Sequence, residues 1–161
     1  MSKIRDRMNA LGLVPAAPLK MPPEVSLPFP WVRVVGSRVL VSGHGPTEPD
    51  GALAEPRGKV GREVSLGEAR HAARLTALAM LGSLERELGD LDRIAAWLRA
   101  FGMVNAAPGF DKMPEVINGF TEVIVDVFGP EVGSHARSAV GLAELPFGIP
   151  VEIEAELLLK D

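Results

Sequence analysis

Residues 135–159 read HARSAVGLAELPFGIPVEIEAELLL, and this stretch decides the fold. Successive side chains of an extended strand point to opposite faces. Over 150–159 that places Val151, Ile153, Ala155 and Leu157 on an apolar face turned toward helices, and Glu152, Glu154 and Glu156 on the other. Over 136–144 it places Arg137, Ala139, Gly141 and Ala143 on one face, and Ser138, Val140 and Leu142 on the opposite one. "LPFG" separates the two runs. Set in one sheet, such strands are expected to bring Arg137 and a glutamate onto the same face, the one away from the helices.

Outward from this stretch, strands and helices are marked by their periods. Ser65 and Glu68 form an S-x-x-E capping box ahead of Leu75, Leu78, Leu81, Leu84 and Leu88, which predicts a long helix ending near Gly89. DRIAAWLRAFGMV, 92–104, reads as a buried strand. A second helix is expected from Pro114 to Phe128, with the proline in its first turn and Gly129-Pro130 as its stop. WVRVVGSRVLVSGHGP, 31–46, holds two apolar runs around "GSR", as a hairpin requires, and the polar, turn-rich residues 50–64 have the composition of a surface loop. The order is two strands, helix, strand, helix, two strands. It is an α+β pattern in which one sheet carries two helices on one face and leaves the other to be covered by something else.

Before the hairpin, Ile4, Met8 and Leu11 predict a short helix over 2–11, and six prolines from Pro15 to Pro30 force an extended path. The division expected is an N-terminal arm over 1–26 and one domain over 27–161. The length of 161 residues suits one core. Apolar residues at 47%, with 17 glycines adding about 11%, exceed the usual share for a soluble domain, and the excess points to a subunit interface.

The formal charge of -4, from 17 basic and 21 acidic residues without a block of like charge, argues against a nucleic-acid partner, which would need a basic stripe. With no cysteine there is no disulfide, thiolate catalysis or cysteine-bound zinc, and no two histidines fall at ligand spacing, so no metal is expected. "GHGP" and "GKVG" match neither a dinucleotide fingerprint nor a phosphate loop, and no cofactor is expected. Residues 1–20 carry scattered charges and no apolar signal region, and no run of about 18 apolar residues exists. A cytoplasmic protein without membrane contact is the expectation.

A guanidinium above small residues has room to grip a planar carboxylate through two parallel donors, so Arg137 is a candidate anchor for a small carboxylate ligand. The plain alternative is that Arg137 pairs with one of the three glutamates. Glu152 lies nearest the turn and could direct a water for attack on a bound imine. Glu154 and Glu156 read as a solvated face. His44 and His135 could act as acids or bases near neutral pH or be ordinary polar surface residues, and His71 reads as structural. Phe29 and Trp31 could wall a ligand, whereas Trp97, Phe120 and Phe128 read as core.

HARSAVGLAELPFGIPVEIEAELLL resembles the C-terminal signature of the YjgF/Rid family, the reactive-intermediate imine/enamine deaminases often labelled L-PSP endoribonuclease-like. VLVSGHGP (39–46) is similar to that family's second strand, VINGFTEVIVDVFG (116–129) to its second helix, and residues 58–94 to its first helix and the approach to it. Together these cover residues 27–160. The resemblance implies a chorismate-mutase-like subunit assembled as a homotrimer, its sheets forming a central barrel with a ligand cleft at each subunit interface. It implies that Arg137 holds the substrate carboxylate, that Ser42, Gly43 and Asn118 contact substrate, and that Glu152 positions the water. The implied reaction is hydrolysis of a 2-imino or enamino acid to a 2-keto acid and ammonia. At two substrate positions the chain departs from the family: Phe29 stands for a tyrosine and Ala139 for a cysteine. Two other activities stay open, a carboxylate-sensing trimer without chemistry and an L-PSP-type endoribonuclease.

Overall fold

A five-stranded mixed sheet with two long helices across one face organises residues 2–160, the residues that the computed structural model describes. Met1 and Asp161, the outer ends of the expected arm and domain, lie outside the described residues. The elements are α1 (Lys3–Ala10), β1 (Val32–Val35), β2 (Arg38–His44), α2 (Leu66–Leu88), β3 (Ile94–Asn105), α3 (Met113–Gly133), β4 (Ala136–Leu142) and β5 (Val151–Leu159). The strands lie in the order β1-β2-β5-β3-β4, parallel only where β3 meets β4. This is the α+β, chorismate-mutase-like subunit expected from the sequence.

The capping box at Ser65 and Glu68 starts α2, as its spacing requires. Gly129, at φ 77° and ψ 167°, breaks the helical path of α3, and Pro130 opens a last turn that ends at Gly133. The two helices pack closely because glycine stands at their contact: a Cβ at Gly119 would collide with the Arg70 carbonyl. Below them Trp97, Phe120, Ile117, Ile153 and Leu157 are fully buried. Burying each such side chain contributes about 2 kcal/mol. No helix among the described residues is long and apolar enough to cross a membrane.

The face assignment for β5 holds: Val151, Ile153, Ala155 and Leu157 turn to the helices. That for β4 is reversed. Arg137 hydrogen-bonds to α3, and Gly141 faces Ala106 and Met113 on the same side. Arg137 and Glu152 therefore lie on opposite faces of the sheet, against the expectation that they share the uncovered one. The reason is steric. α3 crosses close over β3 and β4, so close that a Cβ at Gly102 would stand 2.6 Å from Ile117, and the small residues of β4 are the ones that fit beneath it.

The arm is part of this body. Met8 is fully buried, and Leu13 and Ala16 are nearly so. Ala16 N donates to Leu78 O, Ala17 N to Pro49 O and Lys20 N to Gly51 O. A Cβ at Gly82 would collide with the Ala16 carbonyl, so glycine in α2 is what lets the arm lie down.

Candidate functional site

Two groups of chemistry-bearing side chains emerge, one on each side of the sheet. The first centres on Arg137. Its Nη1 donates to Thr121 Oγ1 at 2.9 Å, and its Nη2 to Asn118 Oδ1 at 2.6 Å and to the Pro114 carbonyl at 3.2 Å. All three acceptors are neutral and sit on α3, so the guanidinium is oriented without its charge being cancelled. Burial lowers its pKa, yet a guanidinium stays protonated at neutral pH. Within one chain Arg137 pairs with none of the strand glutamates: Glu156 pairs with Arg38 at 2.8 Å, and Glu154 is exposed on the far face.

Behind Arg137 stands His135. Its Nδ1 faces the Gly133 carbonyl at 2.8 Å, which can only accept, so Nδ1 carries the proton. Nε2 then accepts from Thr121 Oγ1 at 3.1 Å, and that hydroxyl's lone pairs are left to face Arg137. Burial lowers the His135 pKa, with the Arg137 charge adding to the effect. The histidine is thus a neutral positioning residue rather than a surface group. Sequence reading missed Thr121, although its place three residues after Asn118 puts the two on one helix face.

The second group surrounds Glu152, which lines a cavity of about 350 Å³ between the arm, the end of β2, α2 and the 146–149 turn. Gly43 makes room for the carboxylate, since a Cβ there would overlap Glu152 Oε1. Desolvation raises the Glu152 pKa, and the neighbouring Glu154 charge raises it further. Phe29 and Trp31 meet edge to face, 5.7 Å between ring centroids, along one wall. Ser42, next to Gly43, donates its hydroxyl to the Pro30 carbonyl at 2.8 Å and ties β2 to the segment that leads into β1.

His44 repeats the construction seen at His135. Nδ1 faces the Ser42 carbonyl at 2.6 Å and Nε2 accepts from Ser83 Oγ at 2.9 Å, while Arg86 donates to the same oxygen at 3.0 Å and to the Ala16 carbonyl at 2.9 Å. Desolvation drives the His44 pKa down to about 4, against the Ser42 hydrogen bond and with help from the Arg86 charge. At neutral pH it is an uncharged strut. Its burial at 5% exposure corrects the reading of His44 as an ordinary polar surface residue.

Within one chain the structure brings together Glu152, Gly43 and Phe29, with Ser42 beside them, and separately Arg137 and Asn118; Ala139 lies in β4 two residues beyond Arg137, packed on the core. The two groups do not converge. Arg137 pairs with Ala100, which pairs with Ala155, three residues from Glu152. Two strand spacings and three residues put the Cα atoms roughly 14 Å apart, with the side chains on opposite faces. Among the described residues no cluster of three or more metal-ligating side chains exists.

No family model matches the chain. Among curated proteins, Protein TCP17 of Trypanosoma cruzi is 37% identical over 145 residues, 89% of each chain. A crystal structure of an Agrobacterium tumefaciens protein of unknown function superimposes with a TM-score of 0.85 at 35% identity, covering 98% of this chain and 93% of that one. A candidate endoribonuclease of Shewanella oneidensis has the same TM-score at 24% identity, covering 97% and 99%. The chain belongs to the YjgF/Rid, endoribonuclease L-PSP-like family. These two superpositions take in most of the arm, which therefore belongs to the shared architecture of this branch of YjgF/Rid proteins.

Proposed function

We propose that this YjgF/Rid protein hydrolyses a small 2-imino or enamino acid to the 2-keto acid and ammonia, at a site built by two copies of the chain. The observation that carries the proposal is Arg137, a cation held in fixed orientation by Thr121, Asn118 and Pro114, with no carboxylate among the described residues paired to it. Such a group is preorganised for a planar carboxylate. Glu152 supplies the second requirement. A carboxylate whose pKa is raised by desolvation takes a proton from water more readily near neutral pH.

In the proposed reaction Glu152 accepts a proton from water as the oxygen bonds to the imine carbon, whose nitrogen takes up a proton from solvent. The resulting carbinolamine collapses when Glu152 returns its proton to nitrogen: the C–N bond breaks, the carbinol hydroxyl releases its proton to solvent as C=O forms, and ammonia leaves. Since Arg137 and Glu152 of one chain cannot reach one small ligand, Arg137 of one copy would face Glu152 of the next. The sheet face without helices, where Val35, Leu40 and Leu98 stay exposed, would be covered in the same homotrimer. Phe29 and Ala139, which lack the hydroxyl and thiol of other family members, favour a second reading in which the site binds a carboxylate without turning it over.

The test uses a 2-imino acid generated in place by an amino-acid oxidase. The native protein should speed its decay, and Arg137→Ala and Glu152→Gln should each abolish the effect. Co-assembling the two inactive variants in equal amounts should restore about a quarter of native activity, because that share of interfaces would combine two intact halves. Native-like decay with Arg137→Ala would sink the mechanism, and no recovery on co-assembly would sink the shared site. Saturable keto-acid binding without turnover would leave the second reading.

A further inference from the structure

The cavity beside Glu152 is larger than the reacting centre of a small imino acid requires. Its about 350 Å³ would leave the methyl group of an alanine-derived imine in an almost empty chamber, and it falls within the range of small-molecule sites. Its walls are Leu19, Leu27, Trp31, Ala79 and Ile149, apolar groups from three separate parts of the chain. The polar groups nearby are mostly spent on one another: His44 on Ser42 and Ser83, and Arg86 on Ser83 and the Ala16 carbonyl. The Thr47 hydroxyl lacks a partner but is closed off from solvent. Of the two charged side chains that line the cavity, Arg86 and Glu152, Glu152 is the one with no side-chain hydrogen bond or ion pair among the described residues.

The chamber is built rather than left over. Its roof is the arm, held down by Arg86 on the Ala16 carbonyl, by the backbone bonds of Ala16, Ala17 and Lys20, and by a Lys20–Asp50 ion pair. Phe147 also lines it, 58% exposed and held at φ 59°, a left-handed conformation that is strained for an aromatic residue. Strain retained on an exposed apolar ring is more easily explained by what the ring touches than by folding.

We infer that this arm-roofed chamber receives a large apolar side chain of the substrate, branched aliphatic or aromatic, and so selects which imino acid is hydrolysed. The inference rests on the hydrolytic reading above. The reacting carbon lies at Glu152, the side chain enters the chamber, and the carboxylate points out toward Arg137 of the neighbouring copy.

The experiment compares kcat/KM for imines generated from alanine, leucine and phenylalanine. The native protein should favour the leucine or phenylalanine compound over the alanine one by at least about tenfold, the discrimination that a few buried methylenes supply. Ala79→Leu, which fills the chamber from α2, should lower that ratio about tenfold or more. Leu27→Ser, which opens the chamber from a half-buried position just after the arm, gives the same readout should the first variant fail to fold. A flat profile, a preference for the alanine compound, or an unchanged ratio in a folded variant would overturn the inference. If no imine is accelerated, the hydrolytic reading falls, and calorimetric titration with 4-methyl-2-oxopentanoate, phenylpyruvate and pyruvate judges the chamber by itself. At least tenfold tighter binding of the larger acids upholds it, and equal or absent binding refutes it.

Discussion

Acidification should expose the role of His44 directly. Its imidazole is buried between Trp31, 4.9 Å away between ring centroids, and Ser83, and it holds its pKa at about 4 where an unfolded chain would have 6.5. A histidine with a depressed folded pKa contributes stability that is complete above 6.5 and is lost as pH falls toward the folded value. The gap between 6.5 and about 4 amounts to about 3 kcal/mol at roughly 1.4 kcal/mol per pH unit, of which about 2 kcal/mol is gone by pH 5. His44→Gln removes the titration. At pH 7.5 the variant should be less stable than native protein by about 1–2 kcal/mol, because the Ser83 hydroxyl loses its acceptor and the ring its packing. Every other titrating group is common to both proteins, so the native advantage should shrink by about 2 kcal/mol between pH 7.5 and 5 and approach zero or reverse. Urea unfolding of both proteins at one protein concentration measures that gap, and the imidazole C–H resonances give the pKa independently. A gap that stays constant with pH, or an imidazole titrating near 6.5, would refute the neutral strut.

Other perturbations test the remaining parts. Glu152→Gln should abolish turnover and yet raise stability at pH 7.5, because a carboxylate with a raised folded pKa weighs on the fold once it ionises; thermal melts of variant and native protein should converge below pH 4. Thr121→Val removes the hydroxyl shared by His135 and Arg137, so KM for the imine or Kd for a keto acid should rise on the order of tenfold, while a Thr121→Ser variant should restore it. Gly82→Ala gains about 1 kcal/mol of helix propensity but drives a Cβ into the Ala16 carbonyl; the clash should dominate and free the arm, read as faster proteolysis before residue 30 than in native protein.

What the sequence determined by itself was the set of elements and one face of one strand. The capping box, the leucine spacing of α2, the Gly-Pro stop in α3 and the strict alternation of β5 are local signals, each written within a few residues and each present in the structure. Arg137, Asn118 and Glu152 were legible as candidates because charged or amide groups among small and apolar neighbours stand out, and because the family signature runs through them. Which face Arg137 takes was not legible. Alternation separates the two faces of β4 but does not say which one α3 covers, since Ala139 and Gly141 fit a bare shelf and a tight helix contact equally well. The hydroxyl relays from His44 and His135 join residues 39 and 14 positions apart, and the chamber is roofed by an arm that from its prolines reads only as extended. Close approach at Gly82, Gly43 and Gly102 decided those features: it depends on where two backbones meet in space, which no single segment of sequence records.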